Sequence, residues 1–346
     1  MRAALLATCL LVLPTVATAG DWCSVPPAEA AKSLPAVTQR LQPLLDSQPQ
    51  PMAVMHTEGT LPHQGIRDQS IEARKQLPVM RDAAYAWRAG ADDAYLKLST
   101  RYFNAWVSVY QPNLNPIDET NFDAFFDTYA VIAQKLEPAD RAQALAFFAK
   151  WGRDIVASVD ARNVVSASPQ AKTWDNNWQS HRVKIVTMMA VATGDEALFS
   201  DARRLFRAQV AANIKPDGEV IDFAERDALH YVIYDLEPFT QAALAARVRG
   251  EDWYHYTSPT GSSVAKGFAW LYPYATGDKP HEEFKHSKVA FDAQRAAAGQ
   301  TEYSGMFEPD RAGNAFWFAS VFDPAYLPLA RKLKPDAPLF IAMCGN

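Results

Sequence analysis

The sequence predicts an all-α fold, an incomplete (α/α) toroid built from antiparallel helix hairpins. Three observations predict it. Apolar residues recur at helical spacing along most of the chain, the periodic segments end on helix-stop residues, and strand-like alternation is scarce. Helices of this length joined by short turns stack as antiparallel neighbours. Aromatic and small residues on many of them suit a ring of helix pairs. No strict repeat period is present, so a solenoid is not expected.

The elements follow in order. Met1 and Arg2 give a basic start, Ala3 to Val16 is an apolar run, and Ala17-Thr18-Ala19 has the small-x-small form of a signal-peptidase site. Residues 1–19 are therefore expected to be a cleaved leader, with an uncleaved anchor as the alternative, and the mature chain to be periplasmic or secreted. The run is too short for a stable membrane span. Residues 20–346 are expected to form a single domain. Met55 to Ser70 is polar, with two Gly, a Pro, two His, a Glu and an Arg. A long loop of this kind is a mobile lid or plain surface.

Ala83 to Val109 places Tyr85, Trp87, Tyr95, Tyr102, Phe103 and Trp106 at helical intervals, with a break at Gly90. Phe122 to Leu136, Arg141 to Ala157, Trp178 to Ala192, Glu196 to Ile214, Ala224 to Arg249 and Ser263 to Tyr274 repeat the pattern. Pro112-Asn113, Gly194-Asp195, Pro216-Asp217-Gly218 and Gly250-Glu251-Asp252 separate them.

Composition narrows the partners. Hydrophobic residues make up 49%, enough for a sizeable core and too many for disorder. The net charge of −5 argues against coating nucleic acid or an anionic membrane. A local cleft of Arg, Lys and His can still bind a polyanion, and a monomer is expected. Cys9 leaves with the leader. Cys23 and Cys344 remain at opposite ends of the chain, and in an oxidising compartment a disulfide between them is expected. Cysteines this far apart do not suit structural zinc, and no His pair has H-x-x-x-H spacing, so no metal or other cofactor is expected.

Two clusters carry chemistry. The first runs from Thr173 to Arg182 and includes Trp174, Asp175, Asn176, Asn177, Trp178 and His181. One of its Asp and Asn residues is explained as a helix N-cap. Three of them beside two Trp are not. Asn177 and His181 are four apart and share a helix face. The second cluster spans Glu225 to Leu236. Arg226, His230 and Tyr234 stand four apart as one stripe on a single predicted helix, beside an apolar stripe of Leu229, Ile233 and Leu236. An ordinary exposed face carries Lys and Glu instead.

Asn, Arg, His and Tyr suit β-elimination on a uronic acid. Asn, Arg or His holds the carboxylate, a base takes the C5 proton, and an acid protonates the departing C4 oxygen. Tyr can serve if a cation, Arg226 or a charged His230, lowers its pKa from ~10. A glycoside hydrolase would need two flanking carboxylic acids. Asp175, Glu225, Asp227 and Asp235 are present without forming an obvious pair. A polysaccharide-binding protein would keep Arg, Asn and Trp without needing Tyr234.

The segment from Asn176 to about Gly250 resembles the alginate lyase superfamily of helical-toroid polysaccharide lyases. The resemblance rests on paired Asn at a helix start, a Gly-Asp turn, an Asp-Gly turn, then Arg, Leu-His-Tyr and Tyr-x-Leu. More weakly it extends over most of the mature chain, including Asn115 to Thr120. It implies cleavage of an acidic, β-1,4-linked polyuronate such as alginate. Asn177 would be the carboxylate neutraliser, Arg226 the charge partner and Tyr234 the acid. Trp178 stands where the best-known mannuronate lyases have a His, which leaves the base among His230, His181 and Tyr234. The Asn-Asn-Trp form is similar to a sister group that also acts on glucuronan. Asn176, Trp178, His181, Arg182 and Tyr231 complete the expected substrate contacts. The resemblance further implies a lid, for which Met55 to Ser70 is in the right place. His56, His63 and Arg67 are its candidate substrate contacts, and Tyr303 and Arg311 are further ones.

Overall fold

The computed structural model describes residues 28–162 and 173–344. The expected leader and the Cys23–Cys344 disulfide lie outside the described residues.

The chain forms helices α1 (Ala28–Leu41), α2 (Arg67–Arg74), α3 (Gln76–Arg88), α4 (Asp93–Val109), α5 (Asp123–Ile132) and α6 (Pro138–Ala161). There follow α7 (Asn177–Thr193), α8 (Glu196–Asn213), α9 (Ile221–Arg226), α10 (Leu229–Arg247) and α11 (Val264–Ala275). The short α12 (Ala290–Ala297), α13 (Gly313–Ser320), α14 (Leu327–Leu333) and α15 (Leu339–Cys344) complete the described chain. No strand occurs among the described residues; two isolated bridges join Ile214 to Val220 and Glu282 to Met306. The fold is thus the expected all-helical toroid, with hairpins such as α3–α4 and α7–α8 packed side by side.

Helix limits follow local chemistry. Asp92 opens α4 by accepting from Ala94 N, and Asp195 opens α8 by accepting from Leu198 N. Pro138 sits at the first position of α6, where its missing N–H costs nothing. α7 stops at Gly194, whose φ of 69° is left-handed. Gly218 closes the turn after α8 at φ 98°, where a Cβ would lie 2.2 Å from the Lys266 carbonyl oxygen.

α7 is the inner helix. Every residue from Gln179 to Ala192 is buried, and α5, α6, α8 and α10 pack around it. Its second half is almost wholly apolar, as an enclosed helix requires, whereas its first half buries Asn177, Gln179, Ser180, His181, Arg182 and Lys184. Between α4, α5 and α6 lies an aromatic core. Phe122 stacks on Tyr110 at 4.2 Å and on Phe125 at 5.2 Å, and Phe126 meets Phe148 edge-on at 5.1 Å. Each such pair stabilises by about 0.5–1.5 kcal/mol beyond area burial.

One expected helix is divided. The periodic run Ala224 to Arg249 breaks at Asp227, which adopts a left-handed φ of 50°. Asp227 tolerates this because the chain around it is bonded elsewhere. Its carbonyl accepts from Phe284 N (2.8 Å) and its carboxylate from His286 N (2.9 Å). Farther along α10, Pro238 has no N–H to offer the Tyr234 carbonyl one turn back.

Candidate active site

A cleft of about 450 Å³ opens where α7 begins and where α9 meets α10. One wall carries Asn177, Trp178, Arg226, His230, Tyr231 and Tyr234. The loop before α2 adds Glu58 and Gly59, Ile117 also lines the cleft, and Val289, Phe291, Arg295 and Tyr303 close the far side. The three side chains expected on one helical stripe do meet here. They do so across a helix break rather than along one helix.

Asn177 is 1% exposed and its orientation is fixed from behind. Asp222, on α9 and fully buried, accepts from Asn177 N at 2.9 Å and from Asn177 Nδ2 at 2.6 Å. Asn213 Nδ2 donates to the same carboxylate at 3.5 Å. Next to it lies the buried Asp235, which accepts from Ser180 Oγ at 2.8 Å. Burial and the neighbouring Asp222 push the Asp235 carboxyl well above its usual range, so Asp235 holds the proton of the pair.

His230 makes ring contacts with Tyr231, Tyr234, Phe284 and Tyr303, and its imidazole has no hydrogen bond to any described residue. Burial, then the charges of Arg311, Arg226 and Arg295, lower its pKa to about 4. His230 is therefore a neutral imidazole at pH 7, which leaves Arg226 of the two cations offered by the sequence and suits the reading of His230 as a base. The Tyr234 hydroxyl likewise has no hydrogen bond to a described residue. Burial raises its pKa, with Tyr303 adding to the rise and Arg74 and Arg295 opposing it. The expected lowering is reversed, which makes Tyr234 a proton donor in its resting state.

Arg226 donates to Asp292 Oδ1 at 2.6 Å, and its guanidinium lies 4.0 Å from the centre of the Tyr231 ring. Arg295 Nη1 donates to the Tyr231 hydroxyl at 3.1 Å and comes within 3.8 Å of the same Asp292 oxygen.

Several expected contacts are placed elsewhere. Asn176 is a helix cap, accepting from Trp178 N at 3.1 Å. His181 is 3% exposed beneath Tyr234, with ring centres 4.3 Å apart. Its Nδ1 lies 2.6 Å from Thr120 Oγ1, which already accepts from Lys184 Nζ. Burial holds His181 neutral. Arg182 is also buried, bonded to the Thr173 carbonyl and stacked 4.0 Å from the Trp174 ring, so neither faces the cleft.

The lid differs similarly. His56 Nδ1 lies 2.8 Å from Asp118 Oδ2, and Arg67 Nη1 donates to the Thr57 carbonyl at 3.0 Å. The His63 side chain is 87% exposed and pairs with Asp68. None of the three lines the cleft; Glu58 and Gly59 do. Arg67 to Ser70 belong to α2, so the loop ends sooner than expected. Its clasp is the buried Asp118, which accepts from Thr57 N (2.7 Å), Glu58 N (3.0 Å) and Asn113 Nδ2 (3.2 Å). Burial, then Asp118, raises the Glu58 pKa. Of the two further candidates, Tyr303 lines the cleft, while Arg311 lies outside it, 3.7 Å from Glu308.

Sequence reasoning missed Glu58, Asp222, Asp292 and Arg295. The i, i+4 spacing of Phe291 and Arg295 was a usable signal, since it puts both on one face of α12.

A fully helical toroid whose cleft gathers amide, imidazole, phenol and guanidinium groups defines a class of carbohydrate-cleaving proteins rather than one reaction. The family model described as alginate lyase matches residues 26–281. The chain belongs to the alginate lyase family and is a polysaccharide lyase. Among solved structures it is similar to an alginate lyase from Bacteroides ovatus, with TM-score 0.65 and 16% identity over 95% of this chain and 100% of that one. It is also similar to alginate lyase A1-III from Sphingomonas species A1, with TM-score 0.58 and 14% identity over 88% and 91%. A third similar structure is a variant of A1-III in complex with a tetrasaccharide, with TM-score 0.55 and 14% identity over 74% and 81%. At these identities the structures speak for the fold alone. No match was found among curated proteins.

Proposed function

We propose that the protein cleaves a β-1,4-linked polyuronate by β-elimination, without a metal or organic cofactor, after export to the periplasm. Alginate rich in mannuronate is the first candidate substrate, and glucuronan the second. The observation that carries this reading is the convergence of Asn177, Arg226, His230 and Tyr234 on one cleft. In it the His230 ring and the Tyr234 hydroxyl have no protein hydrogen-bond partner among the described residues.

The roles follow from protonation state. The Asn177 amide, with guanidinium charge across the cleft, offsets the charge that builds on the uronate carboxylate when C5 loses its proton. Neutral His230 can accept that proton. The C4–O bond then breaks, the C4–C5 double bond forms, and the protonated Tyr234 donates to the departing oxygen. In mannuronate, C5–H and the C4 oxygen share a ring face, so a base and an acid on one side of the ring, His230 and Tyr234, suit both steps. Glucuronate differs from mannuronate only at C2 and shares that relation, whereas in guluronate, the C5 epimer, the two lie on opposite faces. Trp178 offers a ring on which a sugar can stack.

A hydrolase fits less well. Among the described residues lining the cleft Glu58 is the sole carboxylate, and hydrolysis needs two. The test is incubation of the purified mature chain with polymannuronate, polyguluronate and glucuronan, following the ultraviolet absorbance of the C4–C5 double bond. Replacing Tyr234 by Phe should remove the signal and leave binding intact. A wild type that binds these polymers and never generates the double bond is a binding protein, and the proposal is then wrong.

A further inference from the structure

We propose that Arg295 is the guanidinium that grips a substrate carboxylate, and that Arg226 is the strut that fixes the wall behind it. The inference rests on the polyuronate reading above.

The two arginines meet on one buried anion. Arg226 reaches Asp292 Oδ1 at 2.6 Å, Arg295 approaches the same oxygen at 3.8 Å, and Ser287 Oγ donates to Asp292 Oδ2 at 2.7 Å. Two cations share one carboxylate that is 1% exposed, so the group carries one uncompensated positive charge beside the cleft. His230 is neutral and does not add to it. Glu58 lines the same cleft and feels the charge of Arg295, with no ion pair between the two among the described residues.

That surplus belongs to Arg295. The shorter bond commits Arg226 to Asp292, and the Tyr231 ring covers its face. Arg295 holds Asp292 loosely. Its guanidinium lies 4.5 Å from the Phe291 ring centre and 4.8 Å from that of Tyr303, with one nitrogen on the Tyr231 hydroxyl. Aromatic rings on this planar group limit both its hydration and its freedom, and a guanidinium so held presents its donors to a carboxylate in a fixed fork. Phe291, Arg295 and Tyr303 all lie beyond residue 281, where the family match ends. The grip thus lies on the C-terminal wall of the cleft, and the ligand it selects is a uronate rather than a neutral sugar.

The test measures calorimetric binding of a mannuronate tetrasaccharide and of its methyl ester, in full-length protein carrying Tyr234→Phe to prevent turnover. Arg295→Gln should weaken binding of the acid about tenfold or more while leaving the ester within about twofold, the loss of one charge-assisted hydrogen-bonded pair. If Arg295→Gln does not fold, Arg295→Met replaces it with the same expectation. Unchanged affinity for the acid overturns the proposal. So does an equal loss for acid and ester, which would mark Arg295 as packing only. The outcomes separate from the lyase reading. A wild type that binds the acid through Arg295 yet cleaves nothing sinks that reading alone, whereas cleavage indifferent to Arg295 sinks this one alone.

Discussion

The two sides of the cleft are built differently. The side from α7, α9 and α10 is continuous with the core. Asn177 is backed by Asp222, Asp222 lies against Asp235, and Asp235 is tied to Ser180 on the innermost helix. The opposite side, made by the loop that carries Glu58 and by residues 289–303, is tied at its edges by a few carboxylates. Asp118 holds the lid backbone, and Asp292 and Asp227 hold the far wall. A side chain on the first side is set by a buried polar network that cannot relax without stranding polar groups. One on the second is set by one carboxylate and its donors. Substitutions on the first side should therefore damage chemistry and stability together. Those on the second should change how substrate is held.

The largest expected effect is Tyr234→Phe, which removes the proposed acid and should lower kcat by about a thousandfold, within the usual range for general acid–base groups. Turnover assayed beside binding would break the contrast if more than a tenth of the rate survived. Next is Asp222→Asn, which replaces the acceptor behind Asn177. Denaturant unfolding should show a loss of about 1–3 kcal/mol for stranded buried donors. Turnover should fall as well. Adding Asn177→Ala should cost little further activity if Asp222 acts through that amide, and full additivity would argue that it does not.

Acid stability gives an intermediate effect on the first side. The folded-state pKa of His230 is about 4, below the ordinary ~6.5 of an unfolded chain, and His181 is lowered by burial too. Between those values the unfolded chain binds more protons. The imidazole contribution should then be full above pH 6.5 and fall as the pH drops towards 4, while Glu119, Glu237 and Glu283, raised to about 7 by burial, contribute in the opposite sense over the same range. Melting temperatures of the wild type and of His230→Gln across that range would separate the two, and an unchanged pH dependence in the variant would mean that this imidazole is not protected.

On the second side, Asp118→Asn weakens the lid clasp. KM should rise several-fold, on the order of fivefold, with kcat nearly unchanged, as expected when a lid loses its anchor. A fall in kcat alone would place the lid in the chemistry. The smallest effect is His63→Ala. The side chain is exposed and pairs only with Asp68, so stability should change by less than about 0.5 kcal/mol and KM not at all.

Legibility in the sequence divides along the same line. The longer helices from α3 to α11 were readable because apolar residues recur along them at helical spacing, whereas α1, α2 and α12 to α15 were not among the expected segments. The Asn177 and Arg226–Tyr234 clusters were readable because short-range spacing brought unusual residues together. What spacing could not show was the break at Asp227, since its left-handed turn depends on partners at Phe284 and His286. Nor could it show that Tyr234 and His230 shift in pKa by burial rather than by charge. The lid was recognised as a loop, yet its His and Arg residues proved structural. A loop's side chains have no periodicity to fix which of them turn inward. Arg295 went unnoticed because its significance is a shared counter-ion, Asp292, that meets Arg226 only in three dimensions.

The turn at Asp227 has a consequence for any attempt to trim the chain. Lys288 N donates to the Glu225 carbonyl and Lys288 Nζ to the Ala224 carbonyl, alongside the two bonds that Asp227 accepts from 284 and 286. With the Arg226–Asp292 pair, five stitches therefore cross from the end of α9 to a stretch past residue 281. A fragment cut where the recognisable family sequence stops would remove the partners that let Arg226 and His230 face the same way. The heritable signature and the smallest working piece of this protein do not share a boundary.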